Sequence, residues 1–252
     1  MPVYTEPLYY EIAFSFVDAV RQVNLFEDFI KKYSHIRVRR FLDIGCGPAL
    51  QLREIAGRGY EAFGLDASAQ MLDYLRERAV AEGIRIEIVL ADMTNFNLEE
   101  PVDFAFIMMG TIGLIESKER FLSHLDCVAD SLRPGGLYLI ENLRLDWAKK
   151  DFFGSESWVM ERDGVRVKTT YEVQLNDTLA QMLTETMRLE VDDHGREFVL
   201  EESRETRMVF PQEFIALVEM NGRFEFLGWF ERGRLVELKK ASMDNIALLR
   251  RK

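Results

Sequence analysis

The chain has 252 residues, 48% hydrophobic and 30% charged, so it is long enough to bury one large core and too apolar to stay disordered. Its 43 acidic residues against 32 basic ones leave a formal net charge of −11, which repels phosphate backbones and disfavours a nucleic-acid partner. Cys46 and Cys127 make no metal-ligand spacing and fit reduced thiols in a cytoplasm; the opening MPVYTEPLYYEIAF is not ordered like an export signal, and no apolar run is long enough to span a bilayer.

Residues 8–33 place Ile12, Phe16, Val20, Val23, Phe26 and Ile30 at helical spacing, which predicts one or two helices ahead of the core. Strand-like runs follow at 38–44, 60–66, 84–92, 102–109 and 136–142, with helix-like stretches at 49–57, 68–82 and 117–132. Ser68 and Ser117 suit the N-caps of the second and third helices. Strands that alternate with helices predict a parallel sheet with right-handed crossovers. Beyond about residue 157 the helical period gives way to alternation, as in Val165, Val167, Thr169, Tyr171, Val173 and Leu175. Turn signals at Asp163-Gly164, Asn176-Asp177 and Asp193-His194-Gly195 predict an antiparallel meander. Pro211 then opens a helix that stops at Asn221-Gly222, and 223–230 and 243–250 read as two last strands.

The sharpest local signal is Asp43-Ile44-Gly45-Cys46-Gly47, a hydrophobic strand ending in an acid and a Gly-x-Gly turn. The glycines let the backbone bend and approach a ligand closely, although a lone Gly-x-Gly also serves as a plain strand-to-helix connection. Asp66 ends the next strand, 19 residues beyond Gly47, where an acid accepts ribose hydroxyls or caps a helix. That spacing suits a nicotinamide dinucleotide as well as S-adenosylmethionine. Three features disfavour the dinucleotide: Leu50 stands where its fingerprint wants a third Gly or Ala, Asp43 precedes the turn, and Asp92 closes the third strand with an acid able to accept from an adenine amino group.

In this combination, over roughly 37–142, the chain resembles the class I S-adenosylmethionine-dependent methyltransferases. The marks are Asp43 to Gly47, Gly64-Leu65-Asp66-Ala67-Ser68 with Met71-Leu72, Ala91-Asp92-Met93, and Leu132-Arg133-Pro134-Gly135-Gly136. The expected fold is α/β: a Rossmann-like parallel sheet flanked by helices with a final antiparallel strand, plus an inserted antiparallel β lid. The main domain is expected over 1–145 and 210–252, with the lid at 146–209. The resemblance implies S-adenosyl-L-methionine as cofactor and S-adenosyl-L-homocysteine as product. It sets the Gly45–Cys46–Gly47 turn, with Asp43, around the methionine part, and Asp66 on the ribose. Ala67 and Met71 fall near the adenosine, Asp92 on the adenine amino group, Met93 against the ring and Met108 beside the cofactor. Tyr9 or Tyr10 is the candidate to cover its carboxylate end. One departure is Pro48-Ala49, where the family usually carries a third glycine.

The lid region, with Gly110-Thr111-Ile112-Gly113 after the fourth strand, resembles small-molecule N-methyltransferases, especially amino-sugar N,N-dimethyltransferases and more distantly glycine N-methyltransferases. This implies a small-molecule acceptor, an amine before a hydroxyl, with no nucleic acid or membrane as partner; a homodimer stays open. Met108-Met109-Gly110-Thr111 stands where base methyltransferases carry an Asn/Asp-Pro-Pro-aromatic run, which disfavours base methylation. Glu141, at the tip of the fifth strand, is the expected general base, with Tyr171 behind it. His35, His124 and His194 read as structural or exposed. Trp147, Phe152, Phe153 and Trp158 read as the packed joint between domain and lid, or as the wall of an acceptor pocket.

Overall fold

The computed structural model describes residues 2–143 and 153–252, so Trp147 and Phe152 lie outside the described residues. The N-terminal helical period resolves into two helices, α1 (Pro7–Ala13) and α2 (Ala19–Tyr33). The alternating segment follows as β1 (Arg40–Ile44), α3 (Leu50–Gly57), β2 (Glu61–Asp66), α4 (Ala69–Glu82), β3 (Glu87–Leu90), β4 (Val102–Ile107), α5 (Lys118–Ser131) and β5 (Leu132–Glu141). Ser68 and Ser117 cap α4 and α5, accepting from the backbone N–H of Met71 at 3.3 Å and of Arg120 at 3.2 Å.

After Phe153 come β6 (Gly154–Arg162), β7 (Val165–Asp177), β8 (Met182–Asp193) and β9 (Arg196–Arg207), then α6 (Pro211–Asn221), β10 (Phe224–Glu231) and β11 (Asn245–Arg251). Asp163-Gly164 and His194-Gly195 both take positive φ in two-residue hairpins. The middle hairpin turns later than predicted. Asn176 and Asp177 still belong to β7, and Asp177 Oδ1 shapes the turn by accepting from the N–H groups of Leu179 and Ala180, at 2.8 and 2.9 Å.

Seven strands form one sheet in the order β10-β11-β5-β4-β1-β2-β3, and β6 to β9 form a second, in chain order. Strands β1 to β5 run parallel, whereas β11 and β10 run antiparallel at the far edge. Period-two alternation builds a core on each face of the large sheet. Phe41, Phe104, Phe106, Leu137, Leu139, Ile246 and Leu248 meet Phe26, Phe29 and Leu52 on one side. Leu42, Ala105, Ile107, Tyr138, Ile140, Ala247 and Leu249 meet Phe121, Leu125, Phe214 and Leu217 on the other. The chain leaves β1 for β2 on one flank and later returns to β4 on the other. That switch parts the loops at the carboxyl ends of β1 and β4 and opens a crevice there.

The small sheet packs an apolar patch (Val165, Val167, Leu189, Val191, Leu200) against Val3, Ile12, Ala13 and Phe14 of the N-terminal segment. Helix α1 is therefore the wedge between the two sheets.

Candidate functional site

The turn after β1 is built from left-handed backbone: Gly45 at φ 68°, Gly47 at 51° and Ala49 at 56°. The N–H groups of Gly45 and Cys46 both donate to Leu65 O, at 2.7 and 3.0 Å, which ties the turn to the end of β2. A Cβ on Gly45 would lie 2.6 Å from Thr111 Cγ2, so only glycine lets this turn nest against the loop after β4. Ala49 occupies its left-handed position at a cost of roughly 1–2 kcal/mol.

Two carboxylates flank the turn. Asp66 Oδ2 accepts from Gly47 N–H and its Oδ1 from Ser68 N–H, both at 2.8 Å. Asp43, 2% exposed, has no hydrogen-bond partner among the described residues. Burial, then the charge of Asp66, pushes its carboxyl well above the usual range. Burial and the same two acids push up the Cys46 thiol. Such a floor favours a cationic or hydrogen-bond-donating ligand that offsets the acids.

Above the floor lies a cavity of about 720 Å³, closed on the far side by the small sheet. Asp43, Gly45, Cys46, Gly47, Asp66, Ala67, Met71, Met93 and Met108 all line it, so most of the residues singled out in the sequence converge here. Tyr10 lines it too, whereas Tyr9 turns away and donates to Asp193 Oδ2 at 3.0 Å. Tyr4, Tyr10 and Phe14 stack in series, with ring centroids 5.3 and 4.7 Å apart. Burial first, then Tyr4 and Asp66, raises the Tyr10 hydroxyl well above its usual range, which keeps it a donor. The small sheet contributes a row of register partners, Glu156, Tyr171, Met187 and Glu202, one from each strand. Trp158 joins them with its indole N–H held by Ala13 O at 2.7 Å, so it is both packed joint and pocket wall.

Two expected residues do not reach the cavity. Asp92 Oδ1 accepts from the N–H and hydroxyl of Thr94, both at 2.7 Å, and its Oδ2 from Arg120 at 2.8 Å. The adjacent Ala91 and Met93 line the cavity, but the Asp92 carboxylate is engaged beside it. Glu141, expected as the base, is 2% exposed and holds Met109 N–H at 3.0 Å and Arg232 Nε at 3.1 Å. It therefore shapes the loop after β4 and is not poised to take a proton from a ligand. Neither partner is predictable from a strand tip: Arg120 lies 28 residues away and Arg232 lies 91 away. Tyr4, Asn142, Arg204 and Arg232 line the cavity and carry no motif that marks them in the sequence, whereas Thr111, which also lines it, belongs to the Gly110-Thr111-Ile112-Gly113 run.

This strand order, with a cavity at the parallel carboxyl ends and an antiparallel sheet over it, is the fold of S-adenosylmethionine-dependent methyltransferases. A structure of such an enzyme from Clostridium acetobutylicum matches with a TM-score of 0.81 and 15% identity over 96% of each chain. Residues 41–136 match the methyltransferase domain family. Among curated proteins, a ubiquinone biosynthesis O-methyltransferase of Xylella fastidiosa is 23% identical over 116 residues, 46% of each chain. A dTDP-3-amino-3,4,6-trideoxy-alpha-D-glucopyranose N,N-dimethyltransferase of Streptomyces venezuelae is 25% identical over 127 residues, 49% of this chain and 50% of that protein. The matches to these curated relatives thus span about half their length. No helix among the described residues is long and apolar enough to cross a membrane.

Proposed function

We propose that the protein is an S-adenosylmethionine-dependent methyltransferase that acts on a small-molecule amine in the cytoplasm. The observation that carries this reading is the convergence of the glycine turn, Asp43 and Asp66 on one cavity roofed by the small sheet. The cradle fits the cofactor. A Cβ at Gly47 would meet nothing within 4 Å, so the turn leaves open space beside it, and Asp43 supplies a buried, unpaired carboxyl for a cationic amino group. When bound, the cofactor supplies an electrophilic methyl group on a sulfonium.

The remaining roles belong to the chain. Asp66 takes the ribose hydroxyls, with Ala67, Met71 and Met93 around the adenosine, and Cys46 and Met108 border the chain that carries the sulfur. Tyr10 covers the amino-acid end. Residues 146–209 act as the lid over the main domain of 1–145 and 210–252, holding the acceptor in place and shedding water. An amine is favoured over an alcohol because the cavity offers carboxylates but no histidine, and a neutral amine needs no strong base. The dimethyltransferase relative named above supports the same choice.

The test is transfer of a labelled methyl group from S-adenosylmethionine to a panel of amino sugars, amino acids, biogenic amines and matched alcohols. Calorimetry should give a cofactor Kd of about 1–10 µM, roughly −8 kcal/mol, and no heat with NAD. Binding of NAD in place of S-adenosylmethionine would overturn the assignment, and preferential labelling of the alcohols would overturn the amine.

A further inference from the structure

Among the described residues, the cavity wall carries six acids, Glu11, Asp43, Asp66, Glu156, Glu185 and Glu202, against two arginines and no lysine. Both arginines are already balanced. Arg204 donates to Glu202 Oε1 through Nε and Nη2, at 3.0 and 2.8 Å, and lies 3.6 Å from the centroid of the Tyr4 ring. Arg232 donates to the buried Glu141. At the floor, Asp43 is buried and unpaired. On the reading above Asp43 takes the ammonium of the cofactor, whose sulfonium and carboxylate cancel, so the acids of the roof keep their charge. A concave wall of this sign concentrates cations.

The roof also offers one carboxylate with no partner among the described residues, that of Glu156. Glu156 and Trp158 stand two residues apart on β6 and both line the cavity, so they share one face of the strand. The indole of Trp158 is fixed by its bond to Ala13 O, and Phe14 and Phe16 pack against it with ring centroids 5.7 and 6.0 Å away. Phe16 is 54% exposed and lines the same rim. A free carboxylate beside fixed aromatic rings satisfies an ammonium in two ways, by opposite charge and by the negative faces of the rings.

We propose that Glu156, with the rings of Trp158 and Phe16, forms a cation subsite at the rim of the acceptor pocket, and that the acceptor is an amine carrying a second, protonated nitrogen. This rests on the transferase reading above. The protonated nitrogen docks at the rim and leaves the other to face the floor. Its charge also makes the other nitrogen less basic, so more of that nitrogen holds a free lone pair in a cavity without histidine.

The experiment pairs amines that differ only in the second charge: alkyl, arylalkyl and sugar diamines, each beside the twin in which a hydroxyl replaces one nitrogen. Labelled methyl transfer is followed with wild type, Glu156→Gln and Glu156→Lys. The best wild-type acceptor should be a diamine, with kcat/KM about tenfold or more above its twin. Glu156 is exposed, so neither substitution should move Tm by more than about 2 °C. Glu156→Gln should lower the ratio of diamine to twin about 5- to 30-fold, through KM of the diamine, and Glu156→Lys should invert it. A packing role would move both members of a pair together and leave the ratio in place. The proposal is overturned by an unchanged ratio in Glu156→Gln, by a best acceptor with a single nitrogen, or by a wild type that binds S-adenosylmethionine and labels no member of the panel. A wild type that neither binds S-adenosylmethionine nor transfers label defeats the transferase reading itself.

Discussion

At the scale of single residues, the site depends on a contact that no side chain can enter. A methyl group at position 45 collides with Thr111 Cγ2 and must also adopt φ 68°. Gly45→Ala should therefore push the turn after β1 away from the loop after β4, costing about 1–3 kcal/mol of stability. It should weaken cofactor binding about tenfold or more in a calorimetric titration; an unchanged Kd would show that the turn does not cradle the ligand. Asp66→Asn tests the neighbouring carboxylate. It keeps the size and one acceptor oxygen but loses the charge and one of the two oxygens that now accept separately from Gly47 N–H and Ser68 N–H. Cofactor affinity should fall about 10- to 100-fold and Tm by about 3–10 °C, because hydrogen bonds to a charged group are worth about 1.5–3 kcal/mol each.

At the scale of elements, what was legible in the sequence follows from how local each signal is. Strand alternation and the run Asp43 to Gly47 depend on neighbours in the chain, and they made the parallel sheet and the tight glycine turn after β1 legible. Roles set by distant partners were not legible. Asp92 and Glu141 stand at strand tips, where ligands gather, and only Arg120 and Arg232 decide that they are engaged elsewhere. The wedge role of α1 was equally hidden, because besides its apolar packing it rests on an acid whose partners are distant in the chain. Glu11, 2% exposed, binds Arg162 of β6 at 2.9 Å, Arg78 of α4 at 3.2 Å and Arg53 of α3 at 3.3 Å, and accepts from the Tyr74 hydroxyl. It thereby ties the small sheet to two helices of the large one. Glu11→Gln leaves three guanidinium groups around a neutral amide, and should cost about 3–5 kcal/mol in urea unfolding. Hydrogen exchange should quicken first in α1 and β6; uniform quickening across both sheets would show that Glu11 is not a local strut.

At the scale of the whole molecule, two buried groups set an acid limit on folding, and their signs can be worked through. His124 is fully buried, with Nδ1 2.8 Å from Met93 O and Nε2 2.7 Å from the Tyr138 hydroxyl. The carbonyl contact requires Nδ1–H, and in the neutral ring the bare Nε2 then accepts from the tyrosine hydroxyl. Burial holds its pKa down at about 4, despite the pull of the Met93 bond, against an ordinary value of 6.5. The unfolded chain therefore takes up a proton from pH 6.5 downward while the folded chain does not, so stability present above pH 6.5 is lost on the way to pH 4. The loss is on the order of 3 kcal/mol. Burial alone would raise the Glu11 carboxyl, but its bonds to Tyr74, Arg78 and Arg162 and the charge of Arg53 hold it down at about 2. Its contribution is complete above pH 4.5 and disappears as the pH falls toward 2, so the two windows adjoin. Asp43 acts in the opposite sense. Its raised carboxyl costs the folded state stability as the pH rises from the ordinary carboxylate range to its elevated pKa, and a bound cation would relieve that penalty. The His124 contribution to the urea unfolding free energy should therefore fall steadily from pH 6.5 to pH 4, against the opposing slope of Asp43. His124→Gln should start less stable at pH 7 and lose most of that slope. A variant with the wild-type slope would show that the buried imidazole is not what limits the fold in acid.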